Sequence, residues 1–287
     1  MIYLDYAATS PMLKEVREKM HEAEEKYFAN ASALHTPGHR AFLEIEKCRE
    51  KLASLIGAEP EEIIFTSGAT EANNTVIRTF KGHKIITSGV EHHSILEAAK
   101  VYRDEKEPSL YSYMYANNET GEILDFFNSS AYLKSETTGE KKAFYHSDLT
   151  QVLGKMPIDV KKMGLDYATF SAHKIGGPVG VGALYVRKGA PFKPLIIGGN
   201  QEKGRRGGTY NTVLIVGFLA ALENIEKNNL YEIYDTKVRN LRDNLAKKIL
   251  EKIPGSSLNM SLERNKTLPS ILNVSFLAAE GESIQYI

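Results

Sequence analysis

The sequence has 287 residues, 42% of them hydrophobic, which is enough for one large domain or two ordinary ones and excludes a disordered or fibrous chain. Lys and Arg total 36 and Asp and Glu also total 36, so the formal net charge is zero. No overall basic field therefore exists to attract nucleic acid or an anionic membrane surface, and neither is expected as a partner.

The cysteine content and the first residues of the sequence indicate the cellular compartment in which the protein is expected. The single cysteine, Cys48, excludes an internal disulfide and a cysteine-rich zinc module, which favours a reducing, cytoplasmic compartment. The opening residues MIYLDYAATSP lack a basic start followed by an apolar core, so no signal peptide is predicted. Nowhere do about eighteen apolar residues follow one another, so no transmembrane span is predicted either.

Helical and strand patterns alternate in the first half of the chain, which is typical of a parallel sheet covered by helices. Apolar residues at three- and four-residue steps, ended by a glycine, mark the first predicted helix. The predicted elements are a helix over Arg40–Gly57, a strand over Glu62–Thr66, a helix over Ala69–Phe80, a strand over Lys84–Thr87 and a helix over Ser94–Tyr102.

The second half continues this pattern with strands that end beside polar or glycine-rich clusters, where active groups belong in an α/β fold. The polar stretch Asn128–Lys142 is either a helix or a surface excursion. The predicted strands are Leu110–Ala116, Ala143–Ser147, Tyr167–Ser171, Gly182–Arg187 and Ser270–Phe276, and the predicted helices are Thr212–Lys227 and Leu230–Ile253.

A lysine and an aspartate follow two of these strands. Lys174 lies between a strand end and a glycine-rich loop, where it is either a surface lysine or a lysine that forms a Schiff base with an aldehyde. Asp148 alone is more simply a helix cap or turn former. Together the two residues favour pyridoxal phosphate, which needs a lysine for its aldehyde and a carboxylate that keeps its ring nitrogen protonated.

Two further clusters could complete such a site. Ser67–Glu71 forms a strand-turn-helix junction that is either an ordinary capped helix or a phosphate cradle, and the nucleotide-binding glycine motifs are absent from the sequence. His92 offers a flat ring to stack on a cofactor. Alternatively, His92 and His93 are loop residues or zinc ligands, but no third ligand is indicated and no metal is predicted.

These clusters and their order resemble the cysteine desulfurases of the class V aminotransferase family, which are fold-type I enzymes dependent on pyridoxal phosphate. The matching segments run from the first residues to about Ser275. They are YLDYAATSP at Tyr3–Pro11, TSGATEANN at Thr66–Asn74, EHHS at Glu91–Ser94, YANNETG at Tyr115–Gly121, DLTQVLGKMPIDV at Asp148–Val160, SAHKIGGPVGVGALYVR at Ser171–Arg187 and GGNQEKGRRGGT at Gly198–Thr209.

The resemblance implies an α/β fold with two domains. Residues 12–229 would form a large domain with a mainly parallel sheet flanked by helices. Residues 1–11 and 230–287 would form part of a small α+β domain.

The resemblance also assigns roles to individual residues. Lys174 would carry the cofactor, and His92 and His173 would join it as catalytic residues. The cofactor-binding set would comprise Asp148 at the pyridinium nitrogen, His92 stacked on the ring, Ala69, Thr70, Ser171 and His173 at the phosphate, and Asn118 and Gln151 on the phenolic-oxygen side. Thr209 would reach the cofactor phosphate of a second subunit, which implies a homodimer.

Two departures from the family pattern are expected. The family's sulfur-accepting cysteine and carboxylate-binding arginine lie beyond the last strand of this sequence, and Cys48 is predicted on the apolar face of a helix, where it is no substitute. This chain alone is therefore expected to turn over cysteine slowly. Between His92 and Asn118 the family has a longer stretch, so either the sheet lacks an element or residues are omitted near Arg103–Ser109.

Three functions remain open from the sequence. The first is a cysteine desulfurase that converts L-cysteine to L-alanine and passes the sulfur as a persulfide to an acceptor or scaffold protein, for iron-sulfur cluster or thio-cofactor supply. The second is selenocysteine lyase or another class V reaction of the same cofactor. The third is a non-catalytic relative that keeps the cofactor site as a binding module. The motifs EHHS and GRRGGT favour the first.

Overall fold

The computed structural model of the chain describes residues 2–106, 109–124 and 143–277, together with residues 279 and 281. The stretch Asn128–Lys142, predicted as a helix or a surface excursion, lies outside the described residues. The helices of the described part are α1 (Lys14–Lys26), α2 (Thr36–Ile56), α3 (Ala69–Thr79), α4 (His93–Tyr102), α5 (Thr212–Lys227), α6 (Leu230–Ile233) and α7 (Arg239–Lys252). The strands are β1 (Ile63–Thr66), β2 (Ile85–Thr87), β3 (Ser109–Ser112), β4 (Ala143–Asp148), β5 (Tyr167–Ser171), β6 (Gly182–Val186), β7 (Ser256–Leu258) and β8 (Val274–Phe276).

Six of these strands form one sheet in the order β1-β6-β5-β4-β3-β2. Strands β2 to β5 are parallel, and β6 pairs antiparallel with both β5 and β1. Because β6 is reversed against both neighbours, β1 runs in the same direction as β5. The predicted mainly parallel sheet is confirmed, and the carboxyl ends of β1 to β5 all lie at one edge.

Helices cover both faces of this sheet. Along β1, Ile63 and Phe65 pack into the hydrophobic cluster that contains buried residues of α2 and α5, whereas Ile64 packs into the cluster that contains α3 and α4. This alternation follows from the two-residue period of a strand. Cys48 is fully buried on the apolar face of α2, as predicted.

The chain after α5 differs from the prediction in detail. The predicted helix Leu230–Ile253 is divided by a π-helical turn at Tyr234–Val238. Strand β8 is shorter than the predicted strand Ser270–Phe276, and it pairs antiparallel with β7, which the sequence did not predict. Backbone hydrogen bonds from Leu268 N to Gly121 O (2.7 Å) and from Ile123 N to Lys266 O (2.8 Å) join this part to the large sheet's loops.

Helix α1 was not predicted from the sequence. Its sequence is dominated by charged residues, and only Val16 and Ala23 are buried within it, so its apolar stripe is too narrow to be read from periodicity. The domain extents, 12–229 and 1–11 with 230–287, stay a prediction. Within the described residues, no helix combines the length and the apolar character needed to cross a membrane.

Candidate functional site

A cavity of about 1010 Å³ opens where the parallel strands end. Its position follows from the sheet topology, because loops after parallel strands meet at one edge and create a crevice there. Nine of the predicted site residues line it: Ala69, Thr70, His92, Asn118, Asp148, Gln151, Ser171, His173 and Lys174. The tenth, Thr209, is exposed and is not part of the cavity wall.

Lys174 lies on a 3₁₀ turn, Ala172–Ile175, that directly follows β5. Its Nζ donates to the backbone carbonyls of Ala7 at 2.5 Å and Ala8 at 2.6 Å. Burial lowers the pKa of the ammonium, and the negative charges of Asp148 and Asp5 oppose that shift only in part. The lysine is therefore biased toward the neutral amine that can act as a nucleophile.

His173, the residue before Lys174, connects the same turn to the N-terminal segment. Its carbonyl accepts from Ser10 Oγ at 2.6 Å and Ser10 N at 3.0 Å, and its Nδ1 lies 3.1 Å from Thr9 Oγ1. Burial first, and then the charge of Lys174, lower the imidazole pKa to about 4. His173 is consequently neutral near pH 7 and adds no second positive charge beside Lys174.

Asp148 is the last residue of β4 and is almost fully buried. Its Oδ2 accepts from Asn73 Nδ2 at 2.8 Å, and its Oδ1 accepts from the backbone N–H of Thr150 at 2.9 Å. Two residues earlier on the same strand, His146 is buried, and its ring nitrogens contact Ser112 Oγ at 2.8 Å and Thr169 Oγ1 at 3.1 Å.

Gln151 is held from two sides. Its Nε2 donates to Ala7 O at 2.9 Å, and its Oε1 accepts from Lys155 Nζ at 2.9 Å. Lys155 is only 5% exposed, and burial, reinforced by the charge of Lys174, lowers its pKa to about 7. The carbonyl of Ala7 thus connects Gln151 to Lys174, which donates to the same oxygen.

The loop after β2 brings His92 to the cavity, where its ring caps α4. His92 Nδ1 accepts from Ser94 N at 3.1 Å. The adjacent Glu91 is buried, where it accepts from Ser88 Oγ at 2.5 Å and Met114 N at 2.8 Å. Burial raises the Glu91 pKa to about 7.

The β1–α3 junction supplies a concave, glycine-lined wall. Gly68 has φ 149°, a conformation that favours glycine, and precedes Ala69 and Thr70 at the start of α3. The start of β6 comes close, because a Cβ on Gly182 would lie 2.8 Å from Gly68 Cα and 2.5 Å from Phe170 O. The first N–H groups of a helix have no partner within it, so this wall is suited to an anion.

The loop that carries Thr209 is anchored by ion pairs. Arg206 donates to Glu71 through Nε at 3.0 Å and Nη2 at 3.1 Å. Arg49 donates to both carboxylate oxygens of Glu202 at 2.8 Å. Glu202 adopts φ 49°, an uncommon conformation for a residue with a side chain. These contacts fix the loop to helices α2 and α3 and leave Thr209 exposed.

Two other features of the sequence are the thiol of Cys48 and the possible metal ligands His92 and His93. Burial raises the pKa of the Cys48 thiol far above its usual value, so this thiol is a packing group rather than a nucleophile. Within the described ranges, no cluster of three or more His, Cys, Asp or Glu residues could hold a metal ion.

Asn73, Lys155 and Glu91 lie at or beneath this site but were not predicted. Asn73 lies one helical turn after Ala69 and Thr70, and Lys155 lies four residues after Gln151. Helical spacing was therefore the available signal for Asn73, and adjacency to His92 was the signal for Glu91. The general preference of lysine for water argued against looking for Lys155 in the interior.

Comparisons with known proteins agree with this arrangement. A family profile described as Aminotransferase class-V matches residues 2–107 and 104–287. The two matches meet between His92 and Asn118, the stretch where a departure from the family pattern is expected. A relative named cysteine desulfurase IscS, from Dictyoglomus turgidum, is 39% identical over 99% of this chain and 77% of its own length.

Solved structures show the same likeness. One titled NifS-like protein superposes with a TM-score of 0.88 at 35% identity, covering 99% of this chain and 84% of its own. Another, titled SspA in complex with cysteine, has a TM-score of 0.80 at 31% identity and covers 100% of this chain and 86% of its own.

Proposed function

Because the chain belongs to the class V aminotransferase family, we propose that it is a pyridoxal phosphate-dependent cysteine desulfurase that converts L-cysteine to L-alanine. The observation that carries this proposal is the meeting of Lys174, Asp148 and the start of α3 in one cavity. The cysteine desulfurase names of its relatives and the cysteine complex among its structural neighbours support the choice of substrate.

The described residues fit this cofactor. Asp148 uses one carboxylate oxygen for Asn73 and the other for Thr150, and each oxygen keeps a further lone pair for a pyridinium N–H. Asn73 Oδ1 is buried without a hydrogen-bond partner among the described residues, which adds acceptor capacity beside the carboxylate. The glycine-lined start of α3 offers unpaired N–H groups for a phosphate.

When bound, pyridoxal phosphate supplies an aldehyde for a lysine and a ring that takes up electrons from the substrate carbon. We assign Lys174 as the covalent attachment point and as a proton acceptor when its amine is free. Asp148 would hold the pyridinium proton and His92 would stack on the ring. Ala69, Thr70, Ser171 and His173 would hold the phosphate, and Asn118 and Gln151 would face the phenolic oxygen.

The sulfur needs a thiol acceptor. Cys48, the single cysteine of the sequence, is fully buried, so the acceptor thiol comes from outside these 287 residues. We propose that an acceptor or scaffold protein receives the sulfur for iron-sulfur cluster or thio-cofactor supply. A cytoplasmic location, expected from the cysteine content, is part of this proposal.

The test is covalent trapping. The purified protein is incubated with pyridoxal phosphate, reduced with borohydride and digested, and the modified peptide is identified by mass spectrometry. The modification is expected on Lys174, and the Lys174→Arg variant, which keeps the positive charge, should remain unmodified. A protein that stays colourless and unmodified, or modification of the nearby Lys155 instead, would contradict the assignment.

A homodimer forms the second part of the proposal. Thr209 is exposed at the end of an anchored loop and is absent from the wall of its own cavity, which supports a role in a second subunit's site. Sedimentation is expected to give twice 32.0 kDa. A stable monomer that binds the cofactor at full occupancy would refute a shared site.

A further inference from the structure

The ring of His92 is held in one tautomer by its own helix cap. The backbone N–H of Ser94 donates to His92 Nδ1 at 3.1 Å, and the Ser94 hydroxyl lies 2.8 Å from the same nitrogen. A backbone N–H can only donate, so Nδ1 must be the unprotonated nitrogen of the neutral ring. The ring proton is therefore on Nε2, the nitrogen left for the cavity that His92 lines.

Asn73 determines which way the Ser94 hydroxyl points. Asn73 is fully buried, and its Nδ2 donates to Asp148 Oδ2 at 2.8 Å and to Ser94 Oγ at 2.9 Å. A carboxylate only accepts hydrogen bonds, so the amide nitrogen of Asn73, and not its oxygen, must face Asp148. Ser94 Oγ then accepts from Asn73, and its own proton is free to be donated to His92 Nδ1.

We propose that Asn73 and Ser94 are positioning residues that hold His92 in the Nε2–H tautomer, so that neutral His92 presents a donor and no acceptor to the cavity. The same chain of hydrogen bonds connects His92 to Asp148. For the reaction, which rests on the proposed function, His92 donates from Nε2, and proton removal belongs to Lys174 or His173.

The experiment is nuclear magnetic resonance of cofactor-free protein with ¹⁵N-labelled histidine, in which two-bond correlations separate protonated from unprotonated ring nitrogens. His35 is an internal reference, because its Nδ1 caps α2 by accepting from Gly38 N at 3.2 Å. Both His35 and His92 are expected to show an unprotonated Nδ1 and a protonated Nε2.

Variants test the role of the hydroxyl and the amide. Ser94→Ala and Asn73→Ala are each expected to raise the share of the Nδ1–H tautomer of His92 about fivefold, the effect of one hydrogen bond, and to leave His35 unchanged. Ser94→Thr keeps the hydroxyl and should restore the wild-type ratio. Asn74→Ala is the matched control, because Asn74 Nδ2 contacts the Thr70 and Ser94 carbonyls rather than the hydroxyl.

A protonated Nδ1 on His92 in the wild-type protein would overturn the tautomer. A ratio that is unchanged in Ser94→Ala would overturn the role of the hydroxyl, and a change in Ser94→Ala without one in Asn73→Ala would overturn the role of Asn73. If Asn73→Ala does not fold, the Ser94→Ala and Ser94→Thr pair still decides the role of the hydroxyl, and Asn73→Ser, a smaller polar replacement, takes the place of Asn73→Ala. Because no cofactor is present, these outcomes are independent of whether the protein proves to bind pyridoxal phosphate.

Discussion

Charged side chains are buried both beneath the loop Gly198–Thr209 and at the strand ends, but their partners differ. Beneath the loop, Arg49 meets Glu202 through two hydrogen bonds of 2.8 Å. At the strand ends, Lys174 donates hydrogen bonds to backbone carbonyls, and Lys155 donates one to the side-chain amide oxygen of Gln151. Among the described residues, neither lysine has a carboxylate within salt-bridge distance.

This difference in partners is reflected in the pKa values. Burial lowers the pKa of Arg49, but the carboxylates of Glu202 and Glu46 more than offset this and raise it, which keeps the guanidinium charged. Burial against neutral partners lowers the pKa of Lys174 and brings that of Lys155 to about 7. The buried charge with an opposite-charge partner therefore holds the loop, whereas Lys155, with a neutral partner, is poised to exchange a proton near neutral pH.

The largest effect is expected at Lys174. Lys174→Met keeps most of the stem but removes the amine that we assign as the attachment point. We expect the rate of alanine formation from cysteine, measured with an added thiol acceptor, to fall by about three or more powers of ten relative to wild type. Urea unfolding should show only a small loss of stability, because Ala7 O keeps its hydrogen bond from Gln151 and the exposed Ala8 carbonyl can bind water in place of the ammonium. A variant with near-wild-type activity would disprove the assignment.

Breaking the paired region should instead cost stability. Glu202→Gln leaves the buried guanidinium of Arg49 with the partly exposed Glu46 as its counter-charge in place of a buried bidentate partner, so the free energy of unfolding is expected to fall by about 3 kcal/mol. The double variant Arg49→Met with Glu202→Met should recover most of that loss, since it removes both charges. Urea titrations of the three proteins measure this. A loss below about 1 kcal/mol in Glu202→Gln would show that the pair is not structural.

The sequence predicted the elements that carry strong local signals. Strand Tyr167–Ser171 and helix Thr212–Lys227 have the predicted bounds, because each combines a clear apolar pattern with polar or capping residues at its ends. Strand ends then located Asp148 and Lys174, since the carboxyl ends of parallel strands share one edge.

The contacts around those residues could not be read in the same way. Asn73 reaches Asp148 only because helix α3 packs next to the end of β4, a relation between elements distant in sequence. The role of Lys155 depends on its being buried, against the general preference of lysine for the surface. The positive φ of Glu202 likewise accompanies its pairing with Arg49, which lies in α2, far away in the sequence.

The third prediction concerns Lys155. Its pKa is lowered to about 7 in the folded protein, so between pH 7 and its unfolded pKa, about 10.4, the unfolded chain binds the extra proton. Wild-type stability should thus rise, relative to Lys155→Met, by roughly 2–3 kcal/mol between pH 7 and pH 10. Exposed Lys161, paired with Glu59, supplies the control Lys161→Met. If the stability of wild type and that of Lys155→Met depend on pH in the same way, the lowered pKa of Lys155 would be contradicted.

The smallest effect is expected at His146, where a buried base has only hydroxyl partners. Burial lowers its pKa below the unfolded value of about 6.5, and the charge of Asp148 offsets this only in part. As pH falls below that value, the unfolded chain takes up a proton that the folded ring resists, so stability present at pH 7 is lost on acidification.

His146→Gln keeps a hydrogen-bonding group but removes this titration, so between pH 7 and pH 5 it should lose less stability than wild type by roughly 1–2 kcal/mol. His173, whose pKa is lowered in the same direction, keeps titrating in the variant, so the pH dependence should weaken rather than disappear. His21, an exposed residue of helix α1, provides the control His21→Gln, which should follow the wild-type profile. Urea midpoints at the two pH values measure the difference. If wild type and His146→Gln lose equal stability between the two pH values, the acid sensitivity arises from another group. The difference between charges with opposite-charge partners and groups with neutral partners would then not extend to His146 on strand β4.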